Sequence, residues 1–183
     1  MKKILSVVLV AVMLCTFVAA TGCGEKPAET LKFGLGVTAN YGSAKNAEGE
    51  TNGSGEFNTT GVAVLLDAAG KIVKIDVDTA QMKTAWTSEG KIVATEDFRT
   101  KYEKGTDYNM AAFGKKHDGS EGKPLEWYAQ AAEFNKAIVG KTASEFAALA
   151  AEDGYATGDL ATAGCTMAVG DMIAAAVKAA TVA

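Results

Sequence analysis

The sequence predicts an α+β fold, in which an antiparallel β-meander comes first and C-terminal helices pack on one face of it. Residues 60–93 carry two hairpin signals whose apolar residues alternate with a period of two. Residues 124–180 instead carry apolar residues at helical spacing. Strands that precede helices, rather than alternating with them, favour an antiparallel sheet that helices cover from one side.

The first strand is predicted over residues 31–38, where apolar residues alternate with small or polar ones. Residues 40–56 are rich in Gly, Asn and Ser, and this composition predicts a long loop or the tip of an irregular hairpin. Loops of this length without regular structure are often functional, so the segment is a candidate binding surface.

The clearest hairpin is predicted over residues 60–78, with a tight turn that ends at Gly70. The apolar residues of its outgoing strand share one face: Val62, Val64 and Leu66. The sequence Gly-Lys-Ile-Val after this turn occurs again in residues 88–93, and the repetition predicts a second hairpin in the same meander.

Three helices are predicted to follow the strands. The first covers residues 124–140, where Pro at the start and Gly at the end favour a helix. Its apolar stripe consists of Trp127, Ala131, Phe134 and Ile138. Residues 142–145 form a capping box that opens the second helix. The third helix is predicted over residues 166–180, with one apolar face.

The N-terminus has the layout of an export signal in residues 1–22. Lys2 and Lys3 precede an apolar run, and small residues follow it. The sequence Ala-Thr-Gly-Cys at residues 20–23 resembles a bacterial lipobox. The resemblance implies that Cys23 is acylated, for example with palmitate, and that the protein is held on the outer face of the cell membrane. A plain secretory signal with a chance cysteine is the alternative.

Residues 23–30 are predicted to form a polar tether and residues 31–183 a single α+β domain, because about 160 residues suffice to bury one core. Without Lys2 and Lys3 the chain has 16 basic and 22 acidic residues, a net charge of about −6. This balance argues against nucleic acid as a partner and against electrostatic adhesion to anionic lipid. With the signal removed and Cys23 acylated, only the thiol of Cys165 is free, so no internal disulfide is expected.

The strongest candidate site is the turn "TAGCT" at residues 162–166, which precedes the last predicted helix. Backbone N–H groups and the helix dipole at such a turn suit an anionic group, and Gly164 lets the backbone approach it closely. The alternative interpretation is structural. In it, Thr162 caps the helix and Cys165 is a small buried residue.

The sequence contains no Gly-x-Ser-x-Gly motif, P-loop or paired-histidine zinc pattern, so it predicts neither a catalytic set nor a metal site. Two aromatic features are further candidates for ligand contact. Trp86 stands near the tip of the second hairpin, and Lys101, Tyr108 and Asn109 belong to a polar-aromatic loop.

Three stretches of the chain resemble the FMN-binding domain family, which includes flavin-carrying subunits of membrane reductases. They are "DAAGKIVKIDVD" (residues 67–78), "TEDFRTKYEKGTDYNM" (residues 95–110) and "DLATAGCTM" (residues 159–167). In the family, the last stretch reads Asp-x-x-Ser/Thr-Gly-Ala-Thr/Ser, and a separate flavin transferase attaches FMN to its final hydroxyl through a phosphoester bond. The resemblance implies that Thr166 carries FMN, that Gly164 is the family's glycine, and that Cys165 replaces its alanine.

This chain departs from the family motif at two positions. Ala163 stands where the family has Ser or Thr, and the hydroxyl is displaced to Thr162. Asp159 lies seven residues before Thr166 rather than six. FMN held noncovalently by these residues, with Trp86 against its ring, is therefore the alternative to a covalent flavin.

These observations leave three kinds of function open. The first is a lipid-anchored electron carrier with FMN as cofactor and a membrane protein as redox partner. The second is a non-catalytic lipoprotein that binds a small molecule or peptide for a transporter or sensor, which the polar segment of residues 40–56 favours. The third is a structural or adhesive surface protein without a ligand.

Overall fold

In the computed structural model the chain consists of two units, Met1–Thr30 and Leu31–Ala183. The structure describes four stretches: residues 30–93, 97–112, 125–149 and 153–183. The predicted signal peptide and Cys23 lie outside the described residues, as does all but the last residue of the predicted tether.

The centre of the domain is a four-stranded antiparallel sheet, with strands in the order in which the chain meets them. The strands are β1 (Lys32–Lys45), β2 (Gly53–Leu66), β3 (Ile72–Trp86) and β4 (Ile92–Val93). Helices that follow the strands in sequence pack on one face of this sheet. The predicted α+β class, a meander covered on one side by C-terminal helices, is confirmed.

Of the two alternatives predicted for residues 40–56, the tip of an irregular hairpin is correct, although β1 runs to Lys45 rather than ending at residue 38 as predicted. Strands β1 and β2 pair along almost their whole length, with one irregularity between Tyr41 and Ser43. The rings of Tyr41 and Phe57 pack across the pair, with centroids 4.3 Å apart. Cross-strand contacts of this kind stabilise a β-hairpin whose Gly, Asn and Ser content is unfavourable for strands.

The turn between β2 and β3 has the predicted geometry. The Asp67 carboxylate accepts hydrogen bonds from the backbone N–H groups of Ala69 and Lys71, at 2.9 and 2.8 Å. Gly70 has φ +76°, which L residues with a side chain rarely adopt. The second predicted hairpin is also present, because β3 pairs with β4 after a similar turn.

Five helices lie wholly within the described residues. They are α1 (Lys101–Lys104), α2 (Trp127–Ile138), α3 (Ala143–Phe146), α4 (Gly158–Thr162) and α5 (Gly170–Val182). Short 3₁₀ turns follow α1 and α3, at Gly105–Tyr108 and Ala147–Leu149. The predicted stripe of α2 is buried, and the predicted capping box between Thr142 and Glu145 opens α3.

The last helix begins at Gly170, four residues later than predicted. The chain before it is extended, because Tyr155 and Ala168 form an antiparallel bridge. In addition, the side-chain carbonyl of Gln130 accepts the backbone N–H groups of Thr166 and Met167. An earlier helical turn would need the Gly170 N–H group to donate to the Thr166 carbonyl, but it donates to the Gly154 carbonyl at 3.0 Å instead.

Helix α5 lies directly on β1 and β2. Gly34 and Gly36 allow this close approach, because a Cβ atom at either position would overlap the carbonyl groups of Ala179 and Ala175. The core forms between this helix face, α2 and the covered face of the sheet. Its largest fully buried side chains include Phe134, Phe146, Ile72 and Ile138.

Within the described residues, no helix combines the length and apolar character that crossing a membrane requires.

Candidate functional site

The covered face of the sheet changes from apolar to polar along its length. Side chains alternate between the two faces of a strand, so Val62, Val64, Glu56 and Asn58 of β2 all point towards the helix side. Val62 and Val64 pack in the core. Residues 56 and 58 instead place a carboxylate and an amide there. Such polar groups in a half-buried setting need partners.

These groups form what we name the Glu56 cluster. Its members are Glu56, Asn58, Gln81, Lys83, Lys101 and Tyr108. The strand register assembles its first part, because β2 and β3 pair Asn58 with Gln81 and Glu56 with Lys83. Helix α1 and the 3₁₀ turn after it supply Lys101 and Tyr108.

Glu56 contacts three other members of the cluster. Its Oε1 atom accepts hydrogen bonds from Asn58 Nδ2 at 3.1 Å and Gln81 Nε2 at 2.9 Å. Its Oε2 atom lies 3.5 Å from Lys83 Nζ. Burial alone would raise the pKa of Glu56, but the hydrogen bonds and the nearby ammonium outweigh it and lower this pKa. The carboxylate is therefore charged and held in place.

Lys101 has an unusual environment for a lysine. Its Nζ atom lies 5.2 Å from the centroid of the Tyr108 ring and 5.9 Å from that of the Trp127 ring. Within the part of the chain that the structure describes, the ammonium has no hydrogen-bond acceptor and no ion pair. Burial lowers the pKa of Lys101 because it removes water from the charge. The result is a partly desolvated ammonium beside two aromatic faces.

Two further members of the cluster, Asn58 and Tyr108, have polar groups that are shielded from water. Asn58 Oδ1 is a buried acceptor with no donor among the described residues. Burial raises the pKa of Tyr108, whereas a hydrogen bond with Gln81 acts in the opposite direction. Buried polar atoms are normally paired, and those that are not often mark functional sites.

The N-terminus of α5 closes the cluster on the β1 side. The Asn40 amide donates to the Asp171 carboxylate, and the Thr38 hydroxyl donates to the Asp171 carbonyl at 3.2 Å. The charge of Asp171 also acts on Lys101. The cluster therefore lies where the distal half of the sheet, α1 and the start of α5 meet.

The groups of the cluster favour particular kinds of binding partner. A desolvated ammonium favours an anion, carboxylate and amide oxygens favour N–H donors, and aromatic faces favour a flat group. Among the described residues, no group of three or more His, Cys, Asp or Glu side chains could hold a metal ion.

The residues predicted as a site at 162–166 have different surroundings. Thr162 lies in α4 and donates its hydroxyl to the Gly158 carbonyl at 3.1 Å, so it does not cap the last helix as predicted. Gly164 has φ +103° and packs against Leu125. Cys165 is fully buried, and burial raises the pKa of its thiol to about 11. The thiol is therefore protonated and shielded near neutral pH.

The turn uses its backbone donors internally. The N–H groups of residues 163–167 all donate within the fold, at donor–acceptor distances between 2.9 and 3.1 Å. The acceptors, in chain order, are the carbonyls of Asp159, Ala161 and Leu160 and then Oε1 of Gln130 twice. The cradle of N–H groups that the sequence predicted for an anion is thus occupied by the protein itself. The side chains of Thr166 and Asp159 are exposed.

Trp86 lies apart from this turn, on the other face of the sheet. Its ring packs over Gly53 and Gly55, which lie on the opposite face of β2 from Val62 and Val64 because side chains alternate along a strand. Thr166, in contrast, contacts Gln130 of α2 on the helix side. The structure does not bring these two predicted site residues together.

The sequence indicated only part of the Glu56 cluster. Lys101 and Tyr108 belong to the polar-aromatic loop identified above. Glu56, Asn58 and Gln81 were not recognised. The available signal was a run of polar residues at alternate positions of β2, which continues the spacing of the buried valines. That signal ends at Glu56, in a segment whose composition predicted either a loop or the tip of an irregular hairpin.

Comparison of the chain with protein-family models, with curated proteins and with solved structures gave no match.

Proposed function

We propose that the protein is a cell-surface binding protein, anchored through lipid on Cys23, that holds a small organic anion at the Glu56 cluster. The observation that carries this proposal is Lys101. A partly buried ammonium is unfavourable when, as here, none of the described residues supplies an acceptor, and an anion from solution would provide one. The half-buried ring of Tyr108 beside it would favour a ligand that also has a flat apolar part.

The remaining members of the cluster support the same conclusion. The Glu56 carboxylate is fixed by three neighbours, so it is preorganised as an acceptor for N–H groups of a ligand. A zwitterionic or amide-containing anion would therefore be preferred over a simple inorganic one. FMN is the first candidate ligand, since it combines a phosphate with a flat ring and the chain resembles FMN-binding domains.

A second candidate function is electron transfer by FMN attached to Thr166. It is supported by the exposure of the Thr166 side chain, because a transferase must reach that hydroxyl. In this case the flavin would carry out the redox chemistry and the protein would position it for a membrane partner. The chain itself would not be a stand-alone enzyme.

Titration of residues 24–183 with FMN, followed by flavin fluorescence, tests the first proposal. We expect binding, and we expect riboflavin, which lacks the phosphate, to bind more weakly. Lys101→Met should weaken FMN binding by about tenfold or more, the usual effect of losing a charge-assisted contact. Lys104→Met is the matched control, because Lys104 is equally shielded but pairs with Asp97 at 3.7 Å. Unchanged affinity in Lys101→Met would contradict the proposal.

Co-expression with a flavin transferase tests the second candidate. A yellow protein heavier by one FMN moiety, with the added mass lost in Thr166→Val and retained in Thr162→Val, is the result expected of a covalent carrier. Yellow protein of unmodified mass that loses its colour in Lys101→Met assigns the flavin to the Glu56 cluster alone. Colourless protein of unmodified mass excludes Thr166 as an attachment site.

A further inference from the structure

The face of the sheet turned away from the helices is unexpectedly apolar. We name it the open face. It presents Phe33, Leu35, Val37, Tyr41, Phe57 and Met82, whose exposure to solvent ranges from 41% to 67%. An antiparallel sheet with one face in water normally carries polar side chains on that face. Contiguous exposed apolar residues on this scale mark an interaction surface.

The open face, rather than the β1 edge of the sheet, is the surface available for docking. At that edge, Lys178 of α5 donates to the Val37 carbonyl of β1 at 3.0 Å. A lysine held against an edge strand discourages the addition of another strand. The exposed side chains of β1 point away from this contact, because they alternate with Gly34 and Gly36.

We propose that the open face rests on the lipid bilayer that holds the acyl chains of Cys23. This inference depends on the lipid anchor of the proposed function. Phe33 follows Cys23 by ten residues, so even a fully extended tether keeps the first residue of the open face within about 35 Å of the anchor. A short tether corresponds to an effective concentration of about millimolar, so a weak affinity for lipid is sufficient for docking.

The charges on the open face define the kind of membrane surface. Lys74 and Asp76 lie on it and form an ion pair at 3.9 Å. Asp78 accepts the backbone N–H groups of Thr79 and Tyr102. The face therefore has no excess positive charge, and a neutral lipid surface fits it better than a strongly anionic one. Docking in this orientation leaves the Glu56 cluster on the side away from the bilayer.

Trp86 provides a direct test, because it lies on the open face whereas Trp127, the other tryptophan, is buried in the core. The acylated protein is placed on vesicles of brominated phosphatidylcholine, which quenches tryptophan at the membrane. Protein with Trp127→Phe, which retains only Trp86, should lose at least about half of its fluorescence. Protein with Trp86→Phe should lose little.

Substitutions on the open face should abolish the quenching. Phe33→Ser combined with Leu35→Ser should remove most of it without unfolding the domain, since both side chains are exposed. Val139→Ser, at a similarly exposed apolar residue beside α2, should leave it unchanged. Circular dichroism confirms that each variant is folded.

Three results would contradict the lipid anchor on Cys23 or the docking of the open face on the bilayer, and they distinguish these two claims. Protein that does not float with vesicles contradicts the lipid anchor itself. Protein that floats while Trp86 remains unquenched contradicts docking of the open face and leaves the anchor intact. A dimer of residues 24–183 in sedimentation, made monomeric by the Phe33 and Leu35 substitutions, would assign the open face to a second copy of the chain instead.

Discussion

The two faces of strand β1 differ in the size of their residues. The covered face of β1 presents Gly34 and Gly36, and the open face of the same strand presents Phe33, Leu35 and Val37. Helix α5 packs on the glycines because its backbone can approach them closely, as its Ala175 and Ala179 carbonyls do. Small residues, rather than apolar ones, therefore indicate which face of this strand a helix covers.

Alanine substitutions of two glycines on opposite faces test this comparison. They are expected to give the largest difference in the free energy of unfolding. Gly36→Ala places a Cβ atom against the backbone of Ala175, and backbone cannot move aside as a flexible side chain can. We expect a loss of about 3 kcal/mol in the free energy of unfolding, measured by urea denaturation of residues 24–183. Gly61→Ala, whose Cβ meets open space, should stay within about 1 kcal/mol of the wild type. Equal losses in the two variants would refute the close approach of α5.

Thr60 and Thr79 mark the point where the covered face becomes polar. Both are buried, and their hydroxyls lie 2.8 Å apart. Thr60→Val should cost about 1–2 kcal/mol, because it leaves the Thr79 hydroxyl buried without a partner. The double variant with Thr79→Val should be closer to the wild type than the single variant is. Additive losses in this double-mutant cycle would show that the hydroxyl pair does not stabilise the fold.

Glu56 should make the polar end of the covered face sensitive to acid. Its pKa is lower in the folded protein than the ordinary 4.5, so the unfolded chain binds the proton more readily. The resulting stabilisation is present above about pH 4.5 and disappears as the pH falls through the lowered pKa. Glu56→Gln should therefore lose less stability than the wild type between pH 6 and pH 3, as monitored by thermal denaturation. An identical pH dependence in the two proteins would count against the hydrogen bonds assigned to Glu56.

Substitutions of exposed residues on the open face should change the stability of the fold least. Leu35→Ser removes an apolar side chain that is already 56% exposed, so we expect a change of less than about 0.5 kcal/mol in the free energy of unfolding. Val64→Ser, on the covered face of the neighbouring strand, is the matched control and should cost far more. A large loss in Leu35→Ser would mean that the open face is buried in the soluble protein.

Local signals in the sequence predicted the elements that depend on neighbouring residues. The turn at Gly70, the apolar stripe of α2 and the capping box at Thr142 are examples, because each is completed within a few residues. The length of β1 and the start of α5 were predicted wrongly. The first depends on pairing with β2, and the second on Gln130, 36 residues before Thr166.

The candidate site was predictable only in part, for the same reason. Lys101 and Tyr108 are close in sequence and could be recognised as one loop. Glu56 and Gln81 are 25 residues apart, and only the register between β2 and β3 brings them together. That register could not be extended to Glu56, because the composition of residues 40–56 is compatible with a loop as well as with the tip of an irregular hairpin.

The central claim is that the Glu56 cluster is the ligand site. NMR of ¹⁵N-labelled residues 24–183 tests this claim most directly. Spectra recorded with and without FMN report on side-chain amides as well as on the backbone. We expect the largest shifts at the side-chain amides of Asn58 and Gln81 and at the backbone amides around Lys101. Shifts confined to residues 162–167 or to the open face, or no shifts at all, would contradict the account.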